Sequence, residues 1–160
     1  MAGDFEGQAS DFWGFALALY DKFPDAFNDL QDRAGRDVNL LLLCLWTGME
    51  RGLALVAGDF PELDAALEPW RSRVVEPLRA VRRHLKGDSL AVPLREKVKD
   101  AEIDAERVAQ RRLLAALPDR PLDAPSLALG LANLGHYAGP DVALSFSVLF
   151  VADADPRPSA

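Results

Sequence analysis

Gln31-Asp-Arg-Ala-Gly-Arg-Asp-Val-Asn39, running directly into Leu40-Leu-Leu-Leu-Cys-Leu-Trp46, is the stretch on which the fold turns. Gly35 suits the left-handed position that ends one helix, and Asp37 suits the N-cap that starts the next. The helix begun at Asp37 is expected to run from Val38 to about Glu50. Its apolar run is far shorter than the ~20 residues that span a bilayer, so a buried helix at the centre of the fold is the better reading.

Working outward, the pattern is helical almost throughout. Ser10 or Asp11 caps a first helix with one apolar face of Phe12, Phe15, Ala16, Leu19 and Phe23 and a second of Trp13, Leu17 and Tyr20, which makes it a core element. Pro24 stops it, and Asp25 to Ala34 form a short second helix. A fourth helical region, about Leu63 to Lys86, places Leu67, Trp70, Val74, Leu78, Val81 and Leu85 in a narrow arc at helical spacing, with Pro69 and Pro77 predicting a fresh start and a kink. A fifth helix begins at Pro93 and reaches about Leu117, with a weaker stripe of Leu94, Val98, Ala101, Ala105 and Val108. A proline-rich linker leads to a sixth, Ser126 to Tyr137.

Beyond Gly139-Pro140 the pattern changes. Val142, Leu144, Phe146, Val148 and Phe150 alternate with smaller residues, as in a strand, while Val142, Phe146, Leu149 and Phe150 also share a helix face. The fold expected is therefore all-α, a compact bundle of five to six helices around a central apolar helix. Residues 1–140 read as a single helical domain, and 141–160 as an extended or strand-like apolar tail with a disordered, proline-rich end.

Composition narrows the function. The 160 residues suffice for a core without metal or disulfide, and 18 Lys and Arg against 25 Asp and Glu give a net charge of -7. That balance opposes general binding to nucleic acid or anionic membrane. The single cysteine, Cys44, allows neither an internal disulfide nor a multi-cysteine zinc site. Met1 to Gly7 show no basic stretch leading into an apolar one, so a cytoplasmic location is expected.

Phe12-Trp-x-Phe-Ala-Leu-x-Leu-Tyr20, the segment Leu30-Gln-Asp-x-x-Gly-x-Asp-Val-Asn-Leu-Leu-Leu-x-Cys-Leu-Trp46, Pro69-Trp-Arg and Val75-x-Pro-Leu-Arg79 together carry a resemblance. The chain resembles a family of small, uncharacterised proteobacterial proteins, a domain of unknown function, over about its first two thirds. The resemblance implies a small, mainly helical bacterial protein and transfers no catalytic residue.

Several residues could carry chemistry. Asp25, Asn28, Asp29 and Asp32 share a helix face, a spacing at which helical synthases hold magnesium diphosphate, although a solvated acidic face near a helix start explains them more simply. Asp29, Asp32, Arg33, Arg36, Asp37 and Asn39 could line a small polar pocket, with capping as the simpler alternative. Asp100, Glu102, Asp104 and Glu106 alternate with basic residues as an exposed, salt-bridged face. Arg71, Arg79, Arg82, Arg83 and Lys86 flank the fourth helical region and could receive an acidic partner, or pair with the acidic residues of the fifth helix. Cys44 reads as packing, and His84 and His136 stand alone.

Signatures of nucleotide-binding and hydrolase sites are absent from the sequence. The function expected is non-catalytic protein–protein interaction, as an adaptor or accessory subunit, with no cofactor or metal. The partner is another protein or a second copy, and Arg71, Arg79, Arg82, Arg83, Phe146 and Phe150 form the candidate surface. The alternative is a small helical enzyme or ligand-binding protein using Asp25 to Asn39.

Overall fold

A computed structural model describes residues 2–154, and all regular structure among them is helical. The helices are α1 (Ala2–Lys22), α2 (Pro24–Ala34), α3 (Val38–Trp46), α4 (Phe60–Trp70), α5 (Glu76–His84), α6 (Val92–Ala115), α7 (Leu127–Ala138) and α8 (Pro140–Ala154). They fall into two compact units, one of Met1–Gly14 and Pro61–Pro118, the other of Phe15–Phe60 and Asp119–Ala160. No helix among the described residues is long and apolar enough to cross a membrane.

The second unit is organised by α3. Gly35 adopts the left-handed conformation, φ 60°, and ends α2; two residues later the Asp37 carboxylate accepts the backbone N–H groups of Asn39 and Leu40 at 2.8 and 3.2 Å. Every residue from Leu40 to Trp46 is buried, as the uniform apolar run requires. The helix then widens into a π-helical turn, Thr47–Arg51, which ends at left-handed Gly52. Gly52 and Leu53 both donate their N–H to the Thr47 carbonyl, closing the helix end.

α7 crosses this end with almost no space between the backbones. A Cβ on Gly48 would lie 2.2 Å from the Gly130 nitrogen, and one on Gly52 would lie 1.9 Å from the Asp123 carbonyl oxygen. The segment leading into α7 is hydrogen-bonded to the same turn: Asp123 N–H donates to Gly52 O at 2.7 Å, and Ser126 N–H to Gly48 O at 3.0 Å. The Ser126 hydroxyl in turn caps α7 by accepting the Leu129 N–H at 3.1 Å.

In the first unit the fourth helical region does not start afresh at Pro69, which lies inside α4; it is interrupted by a π-helical turn at Arg71–Val75, after which α5 begins with Pro77 in its first turn. The effect of the π-helical turn is a change of phase. Leu63, Leu67 and Val75 are buried, Val74, Leu78 and Leu85 are half-buried, and Val81 is 46% exposed. The step from Trp70 to Val75 spans five residues, so the arc drawn at regular helical spacing is shifted by the turn, and Arg79 and Arg82 reach the carboxylates of α6.

α6 shows the complementary shift. Its buried positions are Glu102, Ala105, Ala109, Gln110, Leu113 and Leu114, whereas Leu94 and Ala101 of the expected stripe are exposed and Val98 and Val108 are half-buried. A charged residue on the inward face displaces the apolar stripe because α5 brings arginines to meet it. α1 also differs from expectation: it starts at Ala2 rather than beside Ser10. The added turns are held by Gln8 donating to Asp4 at 2.6 Å and by Arg111 of α6, which donates to Glu6 at 2.7 Å and lies 5.3 Å over the Phe5 ring. Only one face of α1 is core, with Phe12, Ala16 and Leu19 buried; Leu17 of the second face is half-exposed, and Trp13 is covered by Arg107 at 4.8 Å.

The extended reading of residues 142–151 is corrected. They form α8, in which every backbone donor beyond the first turn finds an acceptor within the segment, a condition that a lone strand cannot meet. The helix face of Val142, Phe146, Leu149 and Phe150 is the pattern that wins: Phe146 packs on Phe27 with ring centroids 5.1 Å apart, and Phe150 on Phe23 at 5.6 Å. Residues 155–160, the end read as disordered, lie outside the described residues.

Two glycine substitutions separate backbone contact from helix propensity. Gly48→Ala is expected to destabilise the chain by at least about 2 kcal/mol, because the new methyl meets backbone rather than a movable side chain. Gly14→Ala, in the exposed middle of α1 with nothing within 4 Å of the new methyl, is expected to stabilise by about 0.5–1 kcal/mol. Urea unfolding of both variants beside the wild type checks the two signs.

Candidate functional site

The polar residues around the α2–α3 junction are largely engaged in holding structure. Asp37 is the cap of α3, and its own N–H donates to the Tyr137 hydroxyl at 3.0 Å. Arg36 lies over the Tyr137 ring at 5.4 Å, and Phe60 packs on the same ring at 5.1 Å. Burial pushes the Tyr137 phenol up to about 12, so the hydroxyl stays neutral at physiological pH. Asp29 is exposed and pairs with Arg33 one turn on, at 3.5 Å, and Asp32 is exposed; Asn39 is half-buried and supplies its N–H to the Asp37 cap. Asn28 accepts the Tyr20 hydroxyl at 2.7 Å. Among the described residues no group of three or more His, Cys, Asp or Glu side chains could hold a metal ion, the Asp25, Asp29 and Asp32 face included.

The most completely engaged polar side chain was not among those the sequence suggested. Asn133 sits one residue before Leu134 in the apolar α7 and is buried. Its amide nitrogen donates towards Leu53 O at 2.9 Å, Thr47 Oγ1 at 3.1 Å and Cys44 O at 3.3 Å, and its Oδ1 accepts the Leu55 N–H at 2.8 Å. The partners fix the orientation of the amide, since reversing it would set donor against donor at Leu55. An Asn inside an otherwise apolar helix was the available signal. Asn133→Leu is expected to cost about 3 kcal/mol by stranding these groups, and thermal or urea unfolding measures it.

The arginine flank lies in the first unit. Arg79 donates to Glu106 at 2.9 Å and to Glu102 at 3.3 Å; Arg82 donates to both oxygens of Glu102, one at 3.2 Å. Arg71 pairs with Asp64 at 3.0 Å and with Glu68, while Arg83 is exposed. Glu102 is buried, not exposed as expected. Burial raises its pKa, but the hydrogen bonds and charges of Arg82 and Arg79 outweigh that and hold the carboxyl below the ordinary carboxylate range. Of the other residues considered, Cys44 is buried with its thiol pushed up by desolvation, and His84 and His136 are exposed.

α8 carries an exposed apolar stripe. Phe146 is buried, so it cannot belong to an exposed aromatic patch, and Phe150 is half-buried. The opposite side of the helix carries Leu144, Val148 and Val151, which are 66%, 62% and 65% exposed and spaced one helical turn apart. α8 is thus apolar on both faces, a pattern typical of a helix enclosed by other elements.

A depressed folded-state pKa contributes stability that is present above the unfolded value, near 4.5 for this group, and lost as pH falls through the folded value. Glu102→Gln is therefore expected to lower stability by about 2 kcal/mol at neutral pH, with the gap to wild type closing on acidification below that range. Urea unfolding at stepped pH measures the gap; a constant difference would remove Glu102 from the acid response.

Residues 11–113 match the model of a family described as a protein of unknown function (DUF2390). No curated protein and no solved structure matches the chain.

Proposed function

We propose that this chain, which belongs to the DUF2390 family of proteins of unknown function, is a non-catalytic helical interaction protein, an adaptor or accessory subunit that docks through α8. The observation that carries the reading is the outward stripe of Leu144, Val148 and Val151 on a helix whose other face is already packed. Three large apolar side chains aligned on one exposed helix face are the pattern by which helices recognise protein partners. A bacterial, cytoplasmic setting goes with this reading and rests on the family resemblance and the composition.

The alternative, a ligand or catalytic pocket built from Asp25 to Asn39, has less to support it. Asp37 is committed to capping, Asp29 to Arg33, and Arg36 to the Tyr137 ring. The arginine flank is weakened as a partner surface for the same reason, because Arg79 and Arg82 are directed at Glu102 and Glu106.

Affinity capture from the native host with tagged wild type and tagged Leu144→Glu tests the reading. The expected result is a protein, a second copy of the chain included, retained by the wild type and lost by the variant, with both baits equally helical by circular dichroism. Identical sets of retained proteins would overturn the docking role of α8.

A further inference from the structure

Charge is unevenly spread along this acidic chain. Val81 to Ala101 hold six Lys and Arg against three Asp and Glu, while the remaining residues hold 12 against 22. One stretch of a chain of net charge -7 is therefore +3, and everything outside it is -10. That stretch is the tip of the hairpin formed by α5 and α6. Arg82 of α5 is bonded to Glu102 of α6 and Arg79 to Glu106, so the two helices run antiparallel with position 82 level with 102. From that level α5 continues for only two residues, to His84, whereas α6 begins ten residues earlier, at Val92. At about 1.5 Å per residue, the start of α6 stands roughly 12 Å beyond the end of α5.

The projecting tip is apolar at its end. Lys86 to Leu90 are exposed at every position, and Leu90 is 92% exposed, the most of any large apolar side chain among the described residues. Val92 and Leu94, in the first turn of α6, are each 53% exposed. Leu90 is held in place by backbone bonds. The Asp88 carboxylate accepts its N–H at 2.9 Å and the Asp88 carbonyl accepts the Ala91 N–H at 3.2 Å, which builds a single 3-10 turn, Ser89–Ala91, around it.

Behind these side chains the tip is basic. Arg83, Lys86 and Lys97 all lie on the tip side of the Arg82–Glu102 bond, and each is exposed and takes part in none of the ion pairs formed by the described residues. The nearby carboxylates are engaged: Asp88 holds the Leu90 turn, and Glu96 pairs with Arg95 at 3.5 Å and with Lys99 at 3.9 Å. The first turn of α6 contains no acidic residue, so the positive end of a long helix adds to the same field.

We propose that the α5–α6 tip docks on an anionic lipid surface, with Leu90, Val92 and Leu94 entering the interface and Arg83, Lys86 and Lys97 lying at the lipid phosphates. A leucine projecting from a convex tip needs a partner that makes room for it. A protein must bring a pocket cut to its shape, whereas a bilayer admits apolar side chains anywhere between its head groups, and anionic lipids complement the basic residues behind them. The remainder of the chain is repelled by the same surface, which fixes the end that faces it; that repulsion is screened beyond about 8 Å at physiological ionic strength. No helix among the described residues is long and apolar enough to cross a membrane, and the contact is peripheral and reversible. The tip belongs to the first unit, and its role stands or falls apart from the docking role of α8.

Co-sedimentation of the purified full chain with vesicles of equal parts phosphatidylglycerol and phosphatidylcholine, beside vesicles of phosphatidylcholine alone, tests the proposal. The wild type is expected to sediment with the anionic vesicles only, and to be released as salt rises from about 0.1 M to about 1 M, where the screening length falls from roughly 10 Å to 3 Å. Leu90→Ser is expected to weaken binding about tenfold or more, and Lys86→Glu combined with Lys97→Glu about a hundredfold. All three positions are exposed, so helicity and melting temperature stay as in the wild type. A polarity-sensitive dye attached at Leu90→Cys is expected to brighten on binding; the buried Cys44 does not take the label. A wild type that stays in solution beside anionic vesicles at about 0.1 M salt overturns the proposal. So does either variant sedimenting as the wild type does, or a dye whose emission does not change on binding. If the wild type ignores vesicles yet captures from the native host a protein that Leu90→Ser loses, the tip is a protein-docking surface and the lipid assignment falls.

Discussion

The side-chain amide of Asn133 ties together three stretches of the second unit from inside its apolar core. The end of α3 presents carbonyls freed by the π-helical turn, the segment after Gly52 presents backbone groups in no regular structure, and α7 lies across both. Backbone buried in this way must find partners or pay several kcal/mol in lost solvation. One amide, with two donor hydrogens and an acceptor oxygen, serves Leu53, Thr47 and Leu55 together. The close passage of Gly48 and Gly130 makes this reach possible, because any side chain at the crossing would lift α7 away from the groups that Asn133 serves.

The two units rely on different chemistry. In the second, the α3–α7 crossing is apolar apart from one buried, satisfied amide, Asn133, and its partner Thr47. In the first, α5 and α6 meet through guanidinium and carboxylate groups, and Arg107, Arg111 and Arg112 lie over the rings of Trp13, Phe5 and Trp70. The indole N–H of Trp70 adds a bond to the Ala105 carbonyl at 2.9 Å. Long arginine stems cover aromatic surface while their charged heads stay near water, so a seam with little aliphatic content still excludes solvent.

Local signals in the sequence were read well because their physics is local. Gly35 with Asp37 located a helix stop and start, Ser126 located the start of α7, and the seven residues after Asn39 announced their own burial. Faces were harder. The π-helical turn at Arg71–Val75 adds a residue to the period, and nothing in Arg-Ser-Arg-Val-Val declares it, so Val75 was left out of the buried face and Val81 was put into it, while Leu78 and Leu85 remain half-buried. Glu102 was placed outside because an inward carboxylate makes sense only once Arg79 and Arg82 are known to face it. Asn133 and the glycine crossing depend on residues about 80 positions apart, a distance over which residue spacing carries no information. The outward side of α8 was half visible: its apolar residues were evident, but which of them the chain itself would cover was not.

The second unit is built from two separated segments, Phe15–Phe60 and Asp119–Ala160, with the first unit's longer segment encoded between them. During synthesis α3 therefore emerges long before α7, and the run from Leu40 to Trp46 has no α7 to lie against until residue 138 has been made. At roughly 5–20 residues per second this interval lasts several seconds or more, with a strongly apolar helix exposed throughout. Each contact of Asn133 closes a long loop, so the unit is held back by entropy as well as by chain order. An early stop between Pro118 and Leu127 would leave α3 without its cover, and such fragments would be substrates for chaperones and proteases.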